Sequence, residues 1–215
     1  MILTIKKIPK TYWSSKKPLN LKPKISTFLL LCFGLSLFGI GEGLLLVSHT
    51  GASPWSVLAQ GISLNIDYSI GIITFFISLF VIFLWVFLSQ KPGIGTILNA
   101  IIIAIMIDVC LKYVQTPDHI VVKILLAFFA VLLVGIGSGF YLIANLGPGP
   151  RDGLMTGLQA KTKLPIASVR AFLEITVVSI GWYLGGTVGF GTLLFAFGVG
   201  PAVAFGLFLV KKLFS

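Results

Sequence analysis

Charge is scarce in this chain. Only 10% of its 215 residues are Asp, Glu, Lys or Arg, whereas 57% are hydrophobic. A soluble domain carries about a quarter charged residues, so this chain cannot cover its surface in water and reads as an integral membrane protein. Cysteine is nearly missing too. Cys32 and Cys110 lie inside apolar runs, without CxxC spacing or a nearby histidine, which argues against a disulfide framework or a metal site. The two histidines, His49 and His119, stand alone in loops and read as ordinary interfacial residues. HExxH, GxSxG and P-loop patterns are absent, and the glycine-rich stretches GIGxG and GGTVGFGT lack the strand–turn–helix setting of a nucleotide loop. The expectation is a non-enzyme with no cofactor and no metal.

Acidic residues are few, six against sixteen Lys and Arg, for a net charge of +10. Such an excess usually points to nucleic acid. Seven of the cations, however, are Lys6, Lys7, Lys10, Lys16, Lys17, Lys22 and Lys24, alternating with Pro9, Pro18 and Pro23 ahead of an apolar span. They read as a basic cytoplasmic tail over residues 1–24, partly lying on anionic headgroups, and no nucleic-acid partner is expected. The run Ile25–Val47 is longer than the roughly 7–15 residues of a signal-peptide core and has no A-x-A site, so it is expected to remain as a transmembrane helix.

What the chain has in abundance is apolar runs of bilayer length. Six of them, 25–48, 68–89, 94–114, 121–144, 166–185 and 190–210, are each near the roughly 20 residues a helix needs to cross hydrocarbon. It also has an internal repeat. Residues 38–100 align without a gap on residues 134–196, 96 positions later, with 18 identities in 63 pairs. The matches include Gly39-Ile-Gly41 with Gly135-Ile-Gly137, Gly51 with Gly147, Pro54 with Pro150, and Gly93-Ile-Gly95-Thr96 with Gly189-Phe-Gly191-Thr192. Pro54–Leu64 and its mate Pro150–Ala160 open on proline, which suits the first helical position. Eleven helical residues rise only about 16 Å, so these segments are either interfacial or re-entrant.

The expected fold is therefore an all-α integral membrane protein with about six transmembrane helices, as a first repeat over 25–114 and a second over 121–212. Three crossings per repeat put the second copy in from the opposite face, an inverted repeat of the kind common in transporters. The loops that share the lysine side in this scheme carry Lys91, then Arg151, Lys161 and Lys163, then Lys211 and Lys212, while loops 49–67, 115–120 and 186–189 carry no Lys or Arg. The positive-inside rule then places both termini in the cytoplasm.

Ionisable residues inside a bilayer cost at least a few kcal/mol each, which makes Glu42, Asp108, Arg170 and Glu174 the informative ones. Arg170 and Glu174 are four apart on one helix and can pair, as a functional element or merely to make the helix tolerable. Glu42 sits among small residues that let helices approach, with Ser138 as its repeat mate. It either binds a cation or relays a proton, or simply bonds a neighbouring hydroxyl or lies close enough to the outer interface to be hydrated. Asp108 is expected to pair locally with Lys112. In Gly147-Pro-Gly-Pro-Arg-Asp-Gly153 the helix start exposes N–H groups that attract anions, an effect Arg151 strengthens, unless Asp152 uses those groups itself.

These motifs carry a resemblance. Gly51-Ala-Ser-Pro-Trp55 followed by Gln60-Gly61, Lys91-Pro-Gly-Ile-Gly-Thr96, Gly149-Pro-Arg-Asp-Gly153, Arg170 with Glu174, and Gly181-Trp-Tyr-Leu-Gly-Gly-Thr-Val-Gly-Phe-Gly-Thr192 together resemble the bacterial YczE/YyaS/YitT-type membrane proteins, YczE-like members most of all. The resemblance implies a multi-pass protein of the cytoplasmic membrane and a link to the production of secondary metabolites by large synthases. One position departs from that pattern: Ser56 follows Trp55 where the family has Asp. The leading functional expectation is a transporter or permease for a small anionic or zwitterionic solute. Arg151 and Arg170 attract the anion, Asp152 lies beside them, and Glu42 and Glu174 couple a proton or cation. The alternative is a non-transporting accessory protein whose loop 145–165 and basic tail dock a cytoplasmic enzyme.

Overall fold

Proline and left-handed residues punctuate the helices, and they do so twice at the same spacing. The computed structural model describes residues 8–214. Its long helices are α1 (Ile25–Val47), α3 (Ile70–Leu84), α4 (Ile94–Tyr113), α5 (Ile120–Ala144), α7 (Ile166–Tyr183) and α8 (Phe190–Phe214), with a 3₁₀ turn, Trp85–Leu88, continuing α3. Two short helices, α2 (Pro54–Ser63) and α6 (Pro150–Thr162), each begin on the predicted proline. Six helices, counting α3 with its 3₁₀ turn, are long and apolar enough to cross a membrane. They agree with the six predicted runs to within a few residues, except that α8 carries Lys211 and Lys212 in its last turn instead of ending at 210. After α1 the chain turns through His49 at φ 51° and Gly51 at φ 115°, and after α5 through Asn145 at φ 52° and Gly147 at φ 113°. At Gly51 and Gly147 a side chain would meet the left-handed penalty, which is why both copies keep glycine there.

Helix packing in lipid relies on close backbone approach at small residues. At the α1–α5 crossing, a Cβ on Gly41 would lie 2.7 Å from Val134 Cγ2, and one on Gly137 would lie 2.5 Å from the Phe38 nitrogen. Gly34 also faces Phe140, so α1 and α5 run antiparallel. Gly39 faces Ile103 and Gly43 faces Cys110, so α4 runs parallel to α1; Gly135 faces Ala202 and Gly139 faces Gly206, so α8 runs parallel to α5. Phe76, Phe80, Phe83, Phe172 and Phe197 point outward, as lipid-facing residues do.

Contacts between the halves recur with both partners moved by 96 positions. The Gly95 N–H donates to the Leu146 carbonyl at 2.8 Å, and the Gly191 N–H donates to the Thr50 carbonyl at 2.8 Å. Gly61 packs on Gly181 and Leu184, while Gly157 packs on Leu88 and Gly153 on Trp85. Each short helix therefore packs against the other half of the chain.

Pro54 through Val57, Ala59 and Gly61 are all buried, because α2 turns back into the bundle beside α7 and α3. Two sequence expectations change. The tail does not simply lie on a surface. Trp13 is fully buried against Phe214, its carbonyl accepts the Thr27 hydroxyl, and the Ser15 N–H donates to the Ala144 carbonyl at the end of α5, where helix carbonyls lack partners. Lys6 and Lys7 of that tail lie outside the described residues. Finally, Asp108 does not pair with Lys112. It accepts the Gly71 N–H at 2.8 Å and the Ser69 hydroxyl at 2.5 Å, because the start of α3 offers free donors and a positive dipole end. Lys112 instead lies 5.3 Å from the Tyr113 ring centroid.

Candidate functional site

The carboxylate of Glu42 sits five residues before the end of α1 and is fully buried. A buried carboxylate needs donors. Two come from the start of α2: Ser53 and Ser56 both donate to Oε2 at 2.6 Å. The other oxygen, Oε1, has no hydrogen bond, nor does the buried Trp55 Nε1. Facing Oε1 at 3.7 Å is Arg151 Nη1, projecting from the first turn of α6. The guanidinium also lies 5.3 Å from the centroid of the Trp55 ring, within cation–π range. Trp55 and Arg151 are repeat mates, so equivalent positions of the two copies touch each other.

Arg151 makes no hydrogen bond among the described residues. Burial pulls its guanidinium below the ordinary value, opposed by Glu42 first and then Asp152 and Glu174. The ordinary value is so high that the group stays charged. Beside it, Asp152 accepts the Tyr141 hydroxyl and does not cap its own helix. Pro150 is tied to the other half by Trp85, whose Nε1 donates to its carbonyl at 3.0 Å.

These residues border a cavity of about 470 Å³. Arg151, Asp152, Arg170 and Glu174 line it, and Glu42 lies behind Arg151 rather than on the wall. Arg170 Nε donates to Glu174 Oε1 at 2.8 Å, with their side chains 43% and 19% accessible, so the predicted pair forms. All five predicted residues thus gather at one place. Sequence reasoning missed the polar remainder of the wall: Thr74, Ser78, Asn99, Ser138, Tyr141 and Thr156. A signal for three of them was available, because Thr74 and Ser78 are the repeat mates of Arg170 and Glu174, and Ser138 is the mate of Glu42. Phe38, Ile103, Phe195, Val199 and Val203 supply apolar walls. The mix of a few convergent polar groups with apolar surface is that of a small-molecule site.

A family profile matches residues 25–207, which is nearly all of the membrane-embedded part. The chain belongs to the family of unknown function DUF6198. This DUF6198 member is 39% identical over 209 residues to an uncharacterized protein of Haemophilus influenzae, covering 97% of this chain and 95% of that one. It is 32% identical over 180 residues to the uncharacterized membrane protein YczE of Bacillus subtilis, with 83% and 81% covered. It is 26% identical over 165 residues to YyaS of the same organism, with 75% and 82% covered. The YczE-like resemblance read from the motifs therefore holds. No solved structure matches the chain. The six apolar helices and the YczE relative make this DUF6198 member a multi-pass membrane protein in contact with lipid.

Proposed function

We propose that this protein is a transporter for a small anionic or zwitterionic solute, not an enzyme, and that its central cavity is the solute site. The observation that carries the reading is a charged guanidinium, Arg151, lining that cavity with no hydrogen bond among the described residues. Arg presents donors in a rigid fork that matches carboxylate and phosphate. A fork with no hydrogen bond of its own, on a partly apolar wall, is a ready anion site.

The site belongs to an architecture of two inverted repeats. Supporting this are the antiparallel run of α1 and α5, the inter-half contacts that recur at the 96-residue offset, and the touching mates Trp55 and Arg151. A ligand site at the seam between such repeats, built on short broken helices, fits alternating access. Both termini then face the cytoplasm of a bacterial cell, in line with the lysine distribution.

The test is uptake into proteoliposomes of a panel of radiolabelled monocarboxylates, amino acids and phosphate. Arg151→Gln is expected to abolish the uptake that the wild type shows, and Arg170→Lys to leave most of it. Uptake that survives Arg151→Gln unchanged would remove the proposed site. No uptake of any panel member would favour the docking role instead.

A further inference from the structure

Charge around the cavity does not balance. Counted as ionised, Arg151 and Arg170 stand against Glu42, Asp152 and Glu174. Each carboxylate is held differently. Glu174 is bonded to Arg170 at 2.8 Å. Asp152 has the Tyr141 hydroxyl and lies in the first turn of α6, where the helix end favours an anion. Glu42 has two serine hydroxyls on one oxygen and, on the other, only the 3.7 Å approach of Arg151. The remaining titratable groups near α1 do not compensate it. Cys110 of α4 packs at Gly43, and Asp108 is committed to α3.

We propose that the cavity binds a monoanionic carboxylate at Arg151 and that Glu42 takes up one proton as it does so. This deepens the transport reading and rests on it. The arriving carboxylate takes the guanidinium fork, which swings from Glu42 toward the cavity. Glu42 then has no cation beside it while it stays fully buried. A lone buried carboxylate costs far more than a neutral acid, so a proton from water joins the free oxygen, Oε1. Ser53 and Ser56 remain donors to Oε2 throughout. No covalent bond breaks, and the total charge at the site is the same before and after: one carboxylate arrives and one is neutralised. The solute and a proton would therefore move together without net charge. A phosphate dianion does not satisfy this balance, because it leaves an extra negative charge.

Infrared difference spectroscopy on the full chain in lipid vesicles at neutral pH tests the exchange by following the C=O stretch of a protonated carboxyl. Acetate, butyrate and benzoate serve as probes. In the wild type, at least one of them is expected to raise this band, and none is expected to raise it in Glu42→Gln. Arg151→Gln is expected to show the band with no probe added, Arg151→Lys to lack it, and Arg151→Gln combined with Glu42→Gln to lose it. Arg151→Met, which keeps an unbranched apolar stem without the charge, is the second variant should Arg151→Gln fold poorly, and is expected to show the band as well. A band missing from both uncharged Arg151 variants, or persisting after Glu42→Gln, overturns the proton step. A band in the Arg151 variants that no carboxylate induces in the wild type overturns the carboxylate as ligand. If the bands behave as expected but no carboxylate is taken up by proteoliposomes, the transport reading fails and the exchange stands.

Discussion

The two copies of the sequence repeat share the glycines and prolines of their turns and divide the chemistry. In the first, the acid is on the long helix, Glu42, and hydroxyls stand at the start of the short one, Ser53 just before it and Ser56 in its first turn. In the second, a hydroxyl is on the long helix, Ser138, which only donates back to the Val134 carbonyl at 2.7 Å, and the acid is on the short one, Asp152. Trp55 in the first becomes Arg151 in the second, and Thr74 and Ser78 become Arg170 and Glu174. Backbone geometry tolerates this because the glycines and prolines that set the turns are shared. Charge does not repeat at the seam, where a symmetric set would place two cations, at positions 55 and 151, against each other. Asymmetry there lets an aromatic face meet a guanidinium and an acid meet hydroxyls.

The largest expected effects should be blind to this difference. Gly41→Leu and Gly137→Leu push side chains into the facing backbone at equivalent places in the α1–α5 crossing. Overpacking costs about 1–3 kcal/mol and occasionally more, and backbone clashes belong at the high end. Both variants should lose folded protein in size-exclusion chromatography, to the same degree. Marked tolerance of one but not the other would break the symmetry of the scaffold.

Next in size is a comparison of mates. Glu42→Ala removes the acceptor of two hydroxyls and the counter-charge of Arg151, and truncating one partner of a buried pair costs about 3–5 kcal/mol. Arg151 is 23% accessible and 3.7 Å away, so a loss of roughly 2–3 kcal/mol is expected here. Ser138→Ala removes a back-bond within one helix and should shift the thermal midpoint in detergent by little. Equal shifts would mean that Glu42 has no special partner.

Ser56→Asp sharpens the contrast further, since it gives the first short helix the acid of the second. The new carboxylate would face Glu42, and like charges at such a distance favour the protonated form. A group whose value is raised on folding contributes stability at low pH that is lost as pH rises. The variant should therefore melt close to wild type in acid and fall behind as the buffer is made neutral, by about 1–3 kcal/mol at most. A deficit independent of pH would point to steric cause instead.

The smallest effect is expected at the α7 pair. Arg170 and Glu174 are i,i+4 neighbours on the cavity wall and partly accessible, and such pairs contribute about 0.2–0.5 kcal/mol where water reaches them. Glu174→Gln should barely move the melting midpoint, as should Ser78→Ala at its mate. A large shift in Glu174→Gln alone would place that pair deeper in the functional chemistry than its accessibility suggests.

Much of this molecule is legible before folding. The spans follow from apolar length, since a helix must satisfy its own backbone inside hydrocarbon. The short helices follow from proline, and the turns from glycine. Glu42, Arg170 and Glu174 stand out because an intramembrane charge needs a reason, and Arg151 and Asp152 because they open a helix behind a glycine–proline turn. Their partners were less visible. Asp108 reads locally as a partner of Lys112 one turn on, yet it meets α3, because the free donors of a helix start outweigh an exposed lysine. Trp13 reads as part of a polar tail, yet its ring is buried where α8 ends.

By itself, the sequence determined that the chain lives in a membrane, holds six helices long and apolar enough to cross it, and repeats one pattern 96 positions later. These are consequences of composition and periodicity, which act along the chain. Only the tertiary structure decided that Glu42 meets Ser53, Ser56 and Arg151, and that Trp55 meets its own repeat mate. Residues 42 and 151 come from different copies, and no local periodicity relates a carboxylate on α1 to a guanidinium on α6. Their meeting depends on α1 and α5 crossing at glycines closely enough for both short helices to turn inward to a common cavity.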